Sequence, residues 1–249
     1  MPLVISIAGS DPGRGAGLQM DERVCRRLGV QFRGVVAVDT LQDDEGLHSV
    51  TPRPVEKIVA ELREALATLP SRDVAIKTGA LGTANIVNAI ANEVHSYSQQ
   101  IGAALPLVID PVRAATKNLG AQLLDLEGWL TMKSNLFPLA TVVTPNTLEF
   151  GDGSDFKNCS SVFLKGGHRR VEDEDNAGSV IDELWMEGVK VCEIRKPKVP
   201  NATSLHGTGC ALSTAIAANL AQSEPLIKAV EHASWFMQDW LAILAPEAD

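Results

Sequence analysis

The segment His206-Gly207-Thr208-Gly209-Cys210 stands directly against the small-residue run ALSTAIAANLA, whose apolar spacing is helical. Two glycines, a threonine and a cysteine therefore occupy the start of a helix. The first backbone N–H groups of a helix have no partner within it. They carry about half a positive charge between them through the aligned peptide dipoles. Glycine lets a ligand approach that backbone closely. Gly207, Thr208, Gly209 and Cys210 thus have the pattern of an anion site, typically for phosphate. The same dipole is expected to lower the Cys210 thiol from its ordinary pKa of about 8.5. A thiol activated in this way acts as a general base or nucleophile. The same four residues also suit a glycine-rich turn before a small buried cysteine.

Other chemistry-bearing residues fall at the ends of short apolar runs. Asp110 closes LPLVIDP, where it can support a metal or phosphate or cap the next turn. Lys165 and Gly166 follow SSVFL, a setting that suits either a nucleotide phosphate or a solvated lysine. Asn146 and Glu149 lie just past ATVVTP. They can hold a hydrated Mg2+, which takes few protein carboxylates. Glu149 equally suits a helix first turn, which favours a carboxylate. The chain has no GxxxxGK[ST] phosphate loop. Gly13-Arg14-Gly15-Ala16-Gly17 resembles a dinucleotide fingerprint only loosely.

The elements that must position these residues alternate along the chain. Strands are expected at 3–9, 34–40, 73–79, 105–111, 140–146 and 160–167. Helical spacing is expected over 20–28, from Pro54 through Leu66, at Ile86-Ile90-Val94, over 123–132, from about Thr208, and over 227–244. Residues 183–188 and 189–195 read as a small antiparallel hairpin, near 180–196. Strand–helix alternation over residues 1–249, with no linker or repeat, implies one α/β domain. Its expected form is a three-layer sandwich with a mostly parallel central sheet flanked by helices. In such sheets ligands bind beyond the carboxyl ends of the strands. Gly9-Ser10-Asp11, Lys77-Thr78-Gly79, Asp110, Asn146 and Lys165 all fall there.

The bulk numbers narrow the function classes. Hydrophobic content of 45% against 21% charged supports a sizeable core. A net charge of -9 argues against nucleic acid as a partner. No apolar run approaches the roughly 20 residues of a membrane span. The N-terminus reads as a first strand and not as a signal peptide. Cys25, Cys159, Cys192 and Cys210 form no CxxC or zinc-type spacing, as expected of free thiols in a reducing cytoplasm.

Several segments together carry a family resemblance: IAGSDPGRGAGLQMD (7–21), the Gln42-containing loop ending EGLHSV, KTGALG (77–82), VIDPV (108–112), VVTPNTLE (142–149), LKGGH (164–168) and HGTGCALSTAIAANLA (206–221). In this order, nearly end to end, the chain resembles the hydroxymethylpyrimidine/phosphomethylpyrimidine kinases of thiamine biosynthesis, in the ribokinase-like superfamily. Sugar kinases of that superfamily typically carry Asp where Cys210 stands, so Cys210 points to the pyrimidine and pyridoxal branch. The resemblance implies transfer of a phosphoryl group from ATP to 4-amino-5-hydroxymethyl-2-methylpyrimidine, to its monophosphate, or to both. It implies Cys210 as base and the N–H groups of 207–210 as the hold on the transferring phosphoryl. It assigns Lys165, Asn146 and Gly166 to ATP, and Asp110 and Glu149, beside Asn146, to Mg2+. It places Gly9, Asp21 and Gln42 around the pyrimidine, with Ala80 and Val112 as apolar walls. It also implies a homodimer.

The chain departs from the family pattern at four places. Arg14 replaces a glycine. Asp43-Asp44-Glu45 follows Gln42 where Asn-Thr is usual. Residues 150–163 are expected to be too short for a full crossover helix. The lid segment Arg113-Ala114-Ala115-Thr116-Lys117 keeps a lysine but not the usual sequence. Two other readings stand beside the kinase of thiamine biosynthesis: a pyridoxal or pyridoxine kinase, and a paralogue that binds a pyrimidine without turnover.

Overall fold

Alternating side chains decide which face of a strand each residue serves. In β1 (Leu3–Ser10) both faces are buried, as in a central parallel strand. It pairs in parallel with β2 (Gln31–Asp43) on one side and with β4 (Val74–Thr78) on the other. β5 (Leu107–Ile109), β6 (Val142–Val143) and β7 (Ser161–Leu164) continue the parallel set. Antiparallel strands close both edges: β3 (Gly46–Pro52) against β2, then β8 (Ser179–Met186) and β9 (Val189–Pro197) beyond β7. The computed structural model describes residues 1–11, 13, 15–43, 46–67, 73–114, 122–168, 178–202 and 205–244, the side chains of 42, 43, 46 and 168 excepted. Among the described residues the strands form one sheet of order β3-β2-β1-β4-β5-β6-β7-β8-β9.

Helices cover both faces and make the expected three layers. α2 (Val55–Ala67), α3 (Ala84–Ile101) and α4 (Leu126–Thr131) pack on the face carrying Leu3, Ile5, Ile7, Ile76 and Ile109. α1 (Gly17–Arg27), α6 (Thr208–Ala221) and α7 (Leu226–Leu244) pack on the face carrying Val4, Ala75, Val108 and Phe163. Residues 211–221 of α6 are all buried, so small side chains let it sit between its neighbours and the sheet. The chain runs outward from β1 to β3, then returns to the other side of β1 at β4. That reversal leaves a crevice beyond the strand ends, where ligands of open α/β sheets bind.

Two regions differ from the expectation. Residues 46–52, expected in a loop, pair with β2 as an edge strand. Leu47 is buried there while His48 and Ser49 are exposed, and a polar edge strand is how sheets avoid sticking to one another. The chain also manages a parallel crossover from β6 to β7 within the short 150–163 region. One turn of helix, α5 (Thr147–Phe150), and a 3₁₀ turn at Ser154–Phe156 suffice. Phe150 and Phe137 stack on Phe156, each with ring centroids 5.5 Å away, so aromatic rings fill the place of a longer helix. The antiparallel hairpin expected near 180–196 runs from Ser179 to Pro197. Among the described residues no helix is long and apolar enough to cross a membrane.

Candidate active site

The alternation that buries Val4, Ala75, Val108 and Phe163 under α6 carries on for two more residues in each strand. It sets Ser6, Lys77, Asp110 and Lys165 in a row on that face. Lys165 lies beside Asn146 in a bridge just past β6 and β7. Its Nζ donates to Asp110 Oδ1 at 2.7 Å, with both side chains nearly closed to solvent. The row therefore ends in an ion pair at the carboxyl edge of the sheet.

The first turn of α6 lies over this pair. Gly207 caps the helix with φ +70° and brings no side chain to satisfy the free N–H groups. A Cβ on Gly207 would stand 2.2 Å from the carbonyl oxygen of Gly15, which explains glycine there in place of Ser or Asp. A Cβ on Gly209 would lie 3.3 Å from Lys165 Nζ and 4.0 Å from Asp110 Oδ2. Uncapped N–H groups, a lysine ammonium and the half-buried Cys210 thus converge on one spot. The thiol itself differs from the expectation. Burial pushes it up to about 11; Lys77 and the Gly17 backbone oppose that, while Asp110 and Asp21 add to it. Desolvation outweighs the helix dipole, which acts only at the first turn.

Asp21 also differs from the expectation of a substrate wall. It is fully buried beneath the site and accepts from three donors. Ser6 Oγ and Lys77 Nζ reach its Oδ2 at 2.6 and 2.8 Å, and Thr214 Oγ1 reaches its Oδ1 at 2.7 Å. Burial alone would push the Lys77 ammonium down; Asp21, Cys210 and Asp110 outweigh it and hold it above its ordinary value. Thr214 and Ser213 also lie within hydrogen-bond reach of the Cys210 carbonyl, and Ser213 within 3.2 Å of Asp110 Oδ2. Lys77, which the sequence places at a strand end without a role, is a support, as are Ser213 and Thr214, which it does not single out.

Asn146 and Glu149 form a capping box at the start of α5. Asn146 Oδ1 accepts from Leu148 and Glu149 N–H, and Glu149 Oε2 accepts from Asn146 N–H at 2.8 Å. Burial pushes Glu149 up to about 7; Lys165 draws it down and Asp110 raises it further. A carboxyl raised by burial and by a neighbouring carboxylate is a setting a divalent cation would relieve. Among the described residues no cluster of three or more His, Cys, Asp or Glu could cage a metal. Asp110 and Glu149 fit Mg2+ held through one or two carboxylates plus substrate phosphates.

Gly9 and Ala80 come together at the ends of β1 and β4: a Cβ on Gly9 would stand 3.7 Å from Ala80 Cβ and 3.6 Å from Thr40. Val112 follows Asp110 on a turn, its N–H bonded to the Asp110 carbonyl. The N–H of Gly166 is already taken by Asp182 Oδ1 at 2.8 Å and is not free to meet a phosphate. The Gln42 and Asp43 side chains, Arg14, Asp44, Glu45 and residues 115–117 lie outside the described residues. Asp11 was missed. Its carboxylate accepts the N–H groups of Gly13, Gly15 and Ala16 at 2.8–2.9 Å and so shapes the loop that meets Gly207. Asp before Pro-Gly is the sequence signal for such a turn.

The pyridoxal kinase of Staphylococcus aureus in complex with AMP-PCP superposes with a TM-score of 0.77 at 26% identity, covering 97% of this chain and 88% of that one. The fold is that of the ribokinase-like kinases. The hydroxymethylpyrimidine/phosphomethylpyrimidine kinase of Streptomyces coelicolor is 31% identical over 246 residues, covering 95% of this chain and 87% of that protein. The chloroplastic thiamine biosynthetic bifunctional enzyme of Arabidopsis thaliana is 30% identical over 262 residues; the match takes in 97% of this chain but 47% of that enzyme. Residues 11–152 and 153–246 match the family model for phosphomethylpyrimidine kinase. The chain belongs to the phosphomethylpyrimidine kinase family and is a kinase.

Proposed function

We propose that this kinase transfers the terminal phosphoryl group of ATP to the hydroxymethyl group of 4-amino-5-hydroxymethyl-2-methylpyrimidine, to its monophosphate, or to both. The observation that carries the reading is the uncapped first turn of α6 laid over the Lys165–Asp110 pair, with Cys210 beside it. Phosphoryl transfer needs positioning and charge neutralisation more than covalent chemistry. The N–H groups of residues 207–210 would hold the transferring oxygens as their charge grows. Lys165 would contact the ATP phosphates, with Asn146 beside it. Asp110 and Glu149 would hold Mg2+, which neutralises phosphate charge when bound. Gly9, Ala80 and Val112 would line the flat ring, with Gln42 reading its edge. Cys210 would take the hydroxyl proton onto its sulfur. Because burial keeps the sulfur protonated at neutral pH, only its small thiolate fraction would act, favoured by Lys77. A homodimer and a cytoplasmic location belong to the same reading.

A coupled ADP-release assay with MgATP tests it, run separately on hydroxymethylpyrimidine, its monophosphate and pyridoxal. Turnover on either pyrimidine supports the reading. Turnover on pyridoxal alone replaces it with pyridoxal phosphorylation, and silence on all three with pyrimidine binding by calorimetry replaces it with a sensor.

A further inference from the structure

The face of the C-terminal hairpin that meets α7 carries two charges in an otherwise apolar layer. Asp182 and Leu184 share that face of β8, and Ile194 and Lys196 share it on β9, with Asp182 paired opposite Ile194. Asp182 is 2% exposed and Lys196 5%. Lys196 Nζ donates to Asp182 Oδ2 at 2.6 Å and to the Ser234 carbonyl at 3.3 Å. The Ser234 hydroxyl, on α7, donates to the same Oδ2 at 2.9 Å. The other carboxylate oxygen turns away from the hairpin and accepts the Gly166 N–H.

A buried ion pair is a poor way to hold a hairpin on a helix. Desolvation offsets most of its attraction, and well-packed apolar residues do as well or better. Apolar residues supply no acceptor, however, and a buried N–H left without one is costly. Gly166 also lies directly on β8: a Cβ there would stand 1.9 Å from the Ile181 carbonyl oxygen. The turn is pinned to β8 by this close approach and by Asp182. Lys165 precedes it by one residue and points beneath the first turn of α6.

We propose that Asp182, itself held by Lys196 and Ser234, is a positioning residue that sets the height of the Lys165-Gly166 turn and so the reach of Lys165 toward nucleotide phosphate. This rests on the reading of Lys165 as the nucleotide contact. Asp182→Leu/Lys196→Met removes the pair and the acceptor. Its KM for MgATP is expected to rise about tenfold while that for the pyrimidine stays within about twofold. Asp182→Asn/Lys196→Met removes the charges but keeps an acceptor oxygen for Gly166, and its MgATP constant is expected to return to within about twofold of wild type. Kd values for AMP-PCP by calorimetry give the same comparison without turnover. Equal nucleotide constants in the two doubles, or a parallel rise for nucleotide and pyrimidine, overturns the proposal. Should the first double not fold, Gly166→Ala breaks the contact from the other side, and an unchanged nucleotide constant there overturns it equally. Lys165→Met tests the underlying reading separately: unchanged nucleotide affinity in that variant retires Lys165 as the contact, whatever the doubles do.

Discussion

Two buried Lys–Asp pairs flank Cys210, and they are built for different ends. Lys77–Asp21 is sealed: both side chains are fully buried, and Ser6 and Thr214 complete the carboxylate. Lys165–Asp110 is open on one side, facing the uncapped turn of α6 and the raised carboxyl of Glu149. A pair sealed from solvent, its carboxylate held by three donors, is out of a ligand's reach and serves as a support. A pair with unspent hydrogen-bonding capacity beside free N–H groups can exchange part of its partnership for a phosphate. Pair chemistry is the same in both; burial and what lies beside the pair decide the role.

The sharpest way to break this contrast lies between the two pairs. Cys210→Ala is expected to lower kcat by about 10²–10⁴-fold with pyrimidine affinity little changed. Since the thiol is pushed up to about 11, wild-type kcat should climb with pH through the neutral range while the variant's profile stays flat. A wild-type plateau below pH 7 would remove the thiolate from the mechanism. Next, Lys165→Met should lower kcat/KM by at least about 10²-fold, with a smaller loss of urea stability than at Lys77 because the Asp110 pair faces the open helix turn. Lys77→Met should act first on stability, destabilising by about 3–5 kcal/mol because it strands the fully buried Asp21 carboxylate, and should lower kcat less than Lys165→Met does, through the lost support of the Cys210 thiolate. Interchanged outcomes would erase the distinction drawn above.

Smaller effects sharpen it. Burial pushes Cys25 and Cys159 up to about 12, with Asp21 adding to Cys25. Each stays protonated in the fold after the unfolded thiol ionises. Their contribution is therefore full below the ordinary thiol pKa and is lost as pH rises toward about 12. Thermal melts across alkaline pH should decline less steeply in Cys25→Ala/Cys159→Ala, each compared with its own neutral value. The smallest effect concerns the opposite face of β4. Thr78 Oγ1 is buried with no hydrogen-bond partner among the described residues. Thr78→Val should stabilise by about 1 kcal/mol in urea titrations, with activity unchanged.

Much of this architecture was readable in the sequence. Apolar runs ending in Asp110 and Lys165 located the parallel strands and their functional ends, and Gly207-Thr208-Gly209 located the open helix start. What was missed shares a cause. The family resemblance implies a pocket residue at Asp21, yet Asp21 lies on the same helical stripe as Leu18, Val24 and Cys25, the buried face of α1. Lys77 sits where strand alternation points inward, but a lysine in an apolar run shows no partner until Asp21 arrives from 56 residues away. The Cys210 thiol was judged from its own helix turn, whereas its proton affinity is set by burial under distant segments. The β3 edge escaped because its polar residues earn no hydrophobic signal; only its ladder with β2 makes it a strand.

The burial of α6 has a consequence in time as well as in space. Ala211 is the first amide of that helix bonded within it, to the Gly207 carbonyl, and every residue from there to Ala221 is buried. Those amides should exchange with solvent deuterium only when the whole fold opens, while the amides of Thr208 to Cys210 exchange without any unfolding. Slow and fast exchange then meet across a single peptide unit, so that nucleotide occupancy can be followed by three amide signals against a motionless background.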